Sequence, residues 1–165
     1  MNKSAVILLC LSLLSAPLLV LADAAVIVHP SNPVELSQAQ LRSLFLGKRS
    51  MYPGAGEARV FLPESPSEAR MLLLKHVVGR SEVQLMAFWS QLRFTGRGTV
   101  PVVLSDEDES IKKLIAKKPS AISVISASQV DDSIRVIRWL KDESNNNSDA
   151  AITRINQASE VKKNN

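Results

Sequence analysis

The sequence predicts an α/β domain in which a mixed or largely parallel sheet is flanked by helices. The main observation is that short β-branched apolar runs alternate with segments that begin at capping residues and have apolar residues at helical spacing. A hydrophobic content of 45% over 165 residues is enough for one domain with a real core. The formal net charge of +4 comes without concentrated basic patches, so no nucleic-acid partner is expected.

Five apolar runs are the predicted strands. Val26, Ile27 and Val28 form a continuous β-branched run, which is typical of a buried strand. Pro30 and Pro33 then break the pattern. The predicted strands are residues 26–28, 58–62, 102–104, 121–125 and 134–140.

Four helices are predicted from capping signals. Ser37 with Gln40 and Ser81 with Gln84 have the spacing of a capping box, in which the two side chains satisfy backbone N–H groups reciprocally. Gly79 is expected to end the second helix. The predicted caps are Ser37, Ser65, Ser81 and Ser105. The predicted apolar face of the second helix is Ala69, Leu72, Leu73, His76 and Val77.

The first 22 residues have the pattern of a cleaved secretory signal peptide. Lys3 precedes an apolar run at 5–21 that contains Pro17, and small residues follow the run. Cleavage is expected after Ala22 or after Ala24. The alternative is an uncleaved membrane anchor, because the run approaches the lower length limit for a spanning helix.

The cysteine content limits the chemistry that the mature protein can perform. Cys10 is the single cysteine and lies inside the predicted signal peptide, at a position unsuited to lipidation. The mature chain is therefore expected to have no disulfide, no cysteine–metal site and no cysteine nucleophile.

Catalytic and metal sites are not predicted either. His29 and His76 are interpreted as structural, since a lone histidine needs a partner to act as a base or a ligand. The carboxylates at 106–109 fit the first turn of a helix, where negative charge is favourable. The GRGT segment at 96–99 lacks the Lys-Ser/Thr ending of a phosphate loop. We expect a protein that is not an enzyme and that has no cofactor or metal.

The segment LPESPSEAR at 62–70 supports two interpretations. The first is a helix start, with Ser65 as cap, Pro66 at the first helical position and Glu68 at the third. The second is an anion-binding site made by the hydroxyls of Ser65 and Ser67, by free backbone N–H groups and by Arg70. Physical reasoning alone favours the helix start, because Glu68 would compete with an anion for the same donors.

The order of several motifs resembles the periplasmic substrate-binding proteins of phosphate ABC transporters, and in particular short envelope proteins similar to them. The resemblance covers residues 26–140. The motifs are VIVHPSNP at 26–33, the segment at 36–48, FWS at 88–90, FTGRG at 94–98 and PSAIS at 119–123.

The resemblance implies a type 2 periplasmic-binding fold, in which two α/β lobes close over the ligand, and a periplasmic location. Phosphate-binding members of the family carry a Ser-Gly-Thr element at the start of a helix with an arginine nearby. Ser65, Pro66 and Ser67 stand at that place, and Arg70 follows. The implied ligand-binding residues are therefore Ser65, Ser67 and Arg70, and the implied ligand is phosphate or a similar oxyanion.

The sequence also departs from the family pattern. Pro66 replaces a glycine and removes a backbone donor, and Ser120 and Ser123 replace glycines of a later strand. Residues 26–140 are too few for two lobes, so we expect a fold truncated to about one lobe and an exposed, weak site. The predicted domain covers residues 23–141, and residues 142–165 are expected to form a polar, disordered tail.

Two functions are compatible with these observations. The first is a periplasmic solute-binding protein that recognises phosphate or a similar oxyanion for an ABC transporter. The alternative is a protein-interaction or scaffold module of the cell envelope that reuses the binding-protein fold without transport. Its partner would be an envelope or inner-membrane protein.

Overall fold

The computed structural model describes residues 23–105 and 107–142, so the predicted signal peptide at 1–22 and most of the predicted tail lie outside the described residues. The described chain contains a five-stranded sheet with the strand order β5-β4-β6-β1-β7 and a separate two-stranded hairpin. The strands are β1 (Ala24–Val28), β2 (Met51–Tyr52), β3 (Gly56–Glu57), β4 (Arg59–Pro63), β5 (Val102–Leu104), β6 (Ala121–Ser126) and β7 (Arg135–Leu140).

The large sheet is mixed, as predicted. Strand β4 runs parallel to β5 and β6, whereas β1 pairs antiparallel with β6 and β7. All five residues of β1 are buried, which explains its continuous apolar run. Because β4 and β5 are parallel, the segments that follow Pro63 and Leu104 leave the same edge of the sheet.

Four helices accompany the sheet. They are α1 (Gln38–Phe45), α2 (Glu68–Leu73), α3 (Glu82–Thr95) and α4 (Asp108–Ile115). Helix α2 continues into a π-helical turn, Leu74–Val78, which the sequence did not predict, and a 3-10 turn spans Ala127–Gln129. The capping boxes at the starts of α1 and α3 are both formed, and Gly79 ends the π-helical turn in the left-handed conformation. None of the described helices is long and apolar enough to cross a membrane.

Two of the predicted caps are wrong. The cap of α2 is Ser67 rather than Ser65, because the hydroxyl that accepts from the Arg70 N–H is that of Ser67. The cap of α4 is Glu107 rather than Ser105, and it makes no side-chain capping bond. The carboxylate of Asp108 instead accepts a 2.7 Å hydrogen bond from the Ser126 N–H, which ties the start of α4 to the end of β6.

The sheet separates two hydrophobic cores. On one face, alternate residues of β1 pack with α1, α2 and α3, and on the other face the remaining residues of β1 pack with α4. Val26 and Val28 belong to the first core, whereas Ala25 and Ile27 belong to the second, as the two-residue period of a strand requires. Helices α2 and α3 therefore lie on the same face of the sheet.

The glycine-rich segment at 96–99 packs against the turn that follows α1. Thr99 N donates a 2.9 Å hydrogen bond to Gly47 O, and Gly47 has a φ of 75°. A side chain at Gly98 would collide with the Gly47 carbonyl oxygen and with Leu92. The two glycines thus allow the backbones to approach closely.

Candidate functional site

The three predicted ligand-binding residues line one groove. Ser65, Ser67 and Arg70 lie along a depression of about 700 Å³ between the start of α2, its π-helical turn and the start of α3. The other residues that line this groove are Pro66, Glu68, Met71, Leu74, Lys75, Arg80, Ser81 and Glu82. We call this depression the α2–α3 groove.

Arg70 is almost completely buried, with 2% of its surface exposed. Its guanidinium makes a two-pronged contact with Glu82: Nε lies 3.0 Å from Oε2 and Nη2 lies 2.6 Å from Oε1. Its third bond, from Nη1 to the Pro63 carbonyl oxygen, is 2.8 Å long. The two N–H groups that could bind an oxyanion bidentately are therefore bonded to a carboxylate of the same chain.

The two serines differ in what their hydroxyls do. Ser67 Oγ accepts the capping hydrogen bond from Arg70 N at 3.4 Å, so it serves the helix. Ser65 is exposed, and within residues 23–105 and 107–142 its hydroxyl makes no hydrogen bond. The peptide bond between Ser65 and Pro66 is cis. Of the two hydroxyls, that of Ser65 is the one available to a ligand.

Arg80 lines the same groove and was not predicted. Its Nε is buried, and among the described residues this atom has no hydrogen-bond partner. Its guanidinium carbon lies 5.0 Å from the centre of the Phe88 ring, within the range of a cation–π contact. The sequence feature that could have indicated Arg80 is its position between Gly79, which ends one helix, and Ser81, which caps the next. That arrangement puts a cation at a helix N-terminus, where it is not electrostatically favoured.

Charge distinguishes the two sides of the Ser65–Ser67 segment. The α2–α3 groove has three cationic side chains, Arg70, Lys75 and Arg80, against two carboxylates. The opposite side is a cleft of about 360 Å³ whose lining includes Glu64, Glu107 and Asp108 and no basic residue. Two of these cations are ion-paired, Arg70 with Glu82 and Lys75 with Asp142, so the groove is close to neutral, whereas the cleft disfavours an anion.

The polar groups of His29 and Tyr52 contact neighbouring residues of the fold. His29 Nδ1 lies 3.1 Å from Ser31 N and 2.8 Å from Ser31 Oγ. Burial raises the pKa of the Tyr52 hydroxyl, which donates to the Ser120 carbonyl oxygen at 3.2 Å. In the part of the chain that the structure describes, no group of three or more histidine, cysteine, aspartate and glutamate residues could hold a metal ion.

Comparison with protein-family models gives no match, and no curated protein matches significantly. Solved structures do match. An ABC-type phosphate transport receptor from Vibrio cholerae aligns over 71% of this chain and 46% of its own length, with a TM-score of 0.53 and 20% identity. A putative phosphate ABC transporter substrate-binding protein with bound phosphate, from Clostridium perfringens, aligns over 71% and 44%, with a TM-score of 0.54 and 26% identity.

A third structure, PstS from Borrelia burgdorferi, aligns over 74% of this chain and 48% of its own length, with a TM-score of 0.50 and 9% identity. The chain thus spans less than half the length of each of these three proteins. None of the three is named as an enzyme. By its mixed sheet and its flanking helices, this chain resembles the substrate-binding proteins of phosphate ABC transporters and corresponds in fold to part of one.

Proposed function

We propose that this chain is a non-catalytic binding module of the cell envelope that recognises phosphate or a similar oxyanion in the α2–α3 groove. The observation that carries the proposal is the fold that this chain shares with the compared structures. One of these proteins, which is 26% identical to this chain, was solved with bound phosphate. The periplasmic location and the delivery of the anion to an ABC transporter belong to the same proposal, and they follow from the resemblance and from the predicted signal peptide.

The groove offers four kinds of anion-binding group. Ser65 can donate its hydroxyl, Arg80 can donate guanidinium N–H groups, and Lys75, which pairs with Asp142, lies at the rim. The first turn of α3, which begins at Glu82, adds backbone N–H groups and the positive end of a 14-residue helix. Arg70 contributes charge at long range, because its donors are engaged by Glu82 and Pro63.

The test is calorimetric titration of the purified chain with phosphate, sulfate and small carboxylates. We expect heat with phosphate, and we expect Ser65→Ala and Arg80→Met each to weaken binding about tenfold, near the lower limit for a hydrogen bond to a charged group. Arg97→Met removes an exposed arginine outside the groove and is the matched control. The absence of heat with every anion at millimolar concentration would refute the proposal.

A second candidate function is a protein-interaction module whose partner is an envelope or inner-membrane protein. Two features of the groove favour this function. The Arg70 guanidinium is already bonded to Glu82. Part of the groove wall is apolar, because it is formed by Pro66, Met71 and Leu74. A photo-crosslinking amino acid at Met71, used in living cells, distinguishes the two functions. A discrete crosslinked envelope protein, together with no anion binding, would support the second function.

A further inference from the structure

Helix α3 exposes a second apolar side, which faces away from the sheet. Its inner side packs in the first core and consists of Leu85, Trp89 and Leu92. On its outer side, Val83 is 79% exposed, Met86 is 50% exposed and Phe94 is 94% exposed. Ala87 and Ser90 are also exposed and lie between them at helical spacing. We call these five residues the outer strip. Apolar residues on both sides of a helix are typical of a helix that packs against something on each side.

Cations surround the outer strip without matching carboxylates. Residues 83–105 contain no aspartate or glutamate, although the chain has 16 acidic residues. Arg93 is exposed beside the strip, and Arg97 follows the end of the helix. Within residues 23–105 and 107–142, neither of these arginines forms an ion pair. On the other side of the helix, Lys48 Nζ and the Arg80 guanidinium carbon lie 5.5 Å and 5.0 Å from the centre of the Phe88 ring.

Charge and shape together favour an anionic lipid surface as the partner of the outer strip. An anionic partner is favoured because the cations beside the strip have no carboxylates to neutralise them. The strip is the outer ridge of a single helix about 20 Å long, and Phe94 projects into solvent at its end. A stable protein interface takes about 20–30 residues on each side. A helix that lies on a bilayer needs only a few large apolar side chains with flanking lysines or arginines.

We propose that α3 binds peripherally to bilayers that contain anionic lipids. Val83, Met86 and Phe94 enter the boundary between headgroups and acyl chains, and the guanidinium groups of Arg93 and Arg97 bind lipid phosphates. Both contributions are required, because a few apolar side chains or a few cations alone hold a protein on a bilayer only weakly. The α2–α3 groove is lined by none of these five residues, so the proposal does not depend on anion binding there.

A fluorescent reporter on the outer strip tests the proposal in the full chain. Cys10→Ser removes the native thiol, and Ser90→Cys carries a nitrobenzoxadiazole dye, whose emission rises when it leaves water. The same dye at Ser128→Cys, an exposed position beside the acidic start of α4, is the control. Vesicles of phosphatidylcholine are compared with vesicles in which about one third of the lipid is phosphatidylglycerol. We expect emission at position 90 to rise about threefold with the anionic vesicles only, and emission at position 128 to stay unchanged.

Two variants separate the cationic and the apolar contributions. Arg93→Gln with Arg97→Gln removes two cations, and we expect the lipid concentration at half-maximal emission to rise about tenfold. Phe94→Ser keeps the charges and should have an effect of about the same size. Lys117→Gln with Lys118→Gln lowers the net charge equally at exposed positions after α4 and is the matched control. It should change the lipid concentration by less than about twofold, because salt screens distant charges.

Several outcomes would overturn the proposal. No emission change at position 90 with anionic vesicles, or an equal rise at position 128, would show that α3 does not face the bilayer. Equal weakening by the arginine pair and the lysine pair would mean that net charge, rather than α3, directs the binding. Emission at position 90 that rises with protein concentration in the absence of vesicles would assign the strip to a second copy. A silent dye, together with a discrete envelope protein that crosslinks to position 94 in living cells, would assign it to a protein partner.

Discussion

Arg70 is bonded through three of its nitrogen atoms, and these bonds connect the end of β4 to the starts of α2 and α3. Its guanidinium lies between the Pro63 carbonyl oxygen and the Glu82 carboxylate, and its central carbon is 5.8 Å from the Trp89 ring. A buried cation with a satisfied hydrogen-bond set is costly to disturb, because the partner left behind stays partly desolvated. Arg70 is therefore an architectural residue at the edge of the candidate site.

We expect Arg70→Ala to lower the free energy of unfolding by about 3 kcal/mol, since it leaves the Glu82 carboxylate without its partner. Glu82→Gln should cost less, because the amide oxygen still accepts one hydrogen bond from the guanidinium. Urea denaturation followed by tryptophan fluorescence measures both changes, with the exposed Arg97→Ala as the control. A loss below about 0.5 kcal/mol, the range of ordinary surface substitutions, would contradict the structural role.

Lys112 forms a second ion-pair group on the other face of the sheet. Its Nζ lies 2.7 Å from Asp131 Oδ2 and 2.7 Å from Glu109 Oε2. The hydrogen bond from Lys112, followed by those from Ser133, holds the pKa of Asp131 well below its ordinary value, and Lys112 also lowers the pKa of Glu109. Both carboxylates therefore stabilise the fold in their ionised forms.

The stability of the protein should consequently fall in acid. Because the folded pKa of Asp131 is depressed, the unfolded chain takes up the proton first, near the ordinary aspartate pKa of about 3.9. The contribution of Asp131 is complete above that pH and is lost as the pH falls through the folded pKa. We expect Asp131→Asn to lower the urea midpoint fully at pH 7 and by progressively less as the pH falls below about 4, towards the depressed folded pKa. The exposed neighbour Asp132→Asn should show no such convergence.

At the scale of elements, close backbone approaches hold the helices and loops of the larger core in register. The turn after α1 touches the segment at 96–99 through Gly47 and Gly98, where neither backbone leaves room for a side chain. This contact explains the glycine-rich motif without a phosphate ligand. The contact also positions the loop that leads from α3 into β5, on the face of the sheet that carries the α2–α3 groove.

We expect Gly98→Ala to lower the free energy of unfolding by about 2 kcal/mol, because the added methyl group meets a backbone oxygen that cannot rotate away. Ser90→Ala, at an exposed position of α3, is the control and should change stability by less than about 0.5 kcal/mol. Thermal and urea unfolding measure both variants. If Gly98→Ala proves as stable as the native chain, the close approach is not required.

Strand β1 bears on the position of signal cleavage. Ala24 is fully buried and pairs with Ser126 and Leu140 in the two neighbouring strands. Of the two predicted cleavage positions, the one after Ala22 leaves β1 whole, whereas the one after Ala24 removes its first residue. Under the proposal of an envelope protein, we therefore expect cleavage after Ala22, because this position leaves the buried strand whole.

At the scale of the whole molecule, the chain spans less than half the length of the three solved structures named above. The α2–α3 groove lies on a helical face of one sheet, and its charged residues Glu68 and Lys75 are exposed, so water reaches them. Electrostatic attraction in such a site is strongly screened. An oxyanion bound there should be held weakly.

Anion binding in the open groove should therefore depend on ionic strength. The Debye length falls from about 30 Å at 0.01 M to about 8 Å at 0.15 M, so the attraction of Arg70, Lys75 and Arg80 for an incoming anion is progressively lost. We expect the affinity for phosphate to fall severalfold over this range in calorimetric titrations. An affinity that does not change with added neutral salt would indicate an enclosed site instead.

Local pattern was enough to predict most of the elements. The β-branched run of β1, the capping boxes of α1 and α3 and the left-handed Gly79 depend on interactions within a few residues, so the sequence alone determined them. The strand–helix alternation also determined the fold class. The cap predictions at Ser65 and Ser105 failed because α2 and α4 each begin two residues later, after Ser67 and Glu107. At α4 a tertiary contact, the hydrogen bond from Ser126 N to Asp108, holds the start of the helix.

Only the tertiary structure decided the chemistry of the candidate site. Ser65, Ser67 and Arg70 lie near one another because they fall within six residues of sequence. Glu82 lies twelve positions beyond Arg70, and only the packing of α3 beside α2 brings its carboxylate onto the guanidinium. The same packing brings Arg80 and Met71 into one groove. The physical reason is general: caps and strand patterns are short-range, whereas ion pairing and burial depend on which surfaces the sheet brings together.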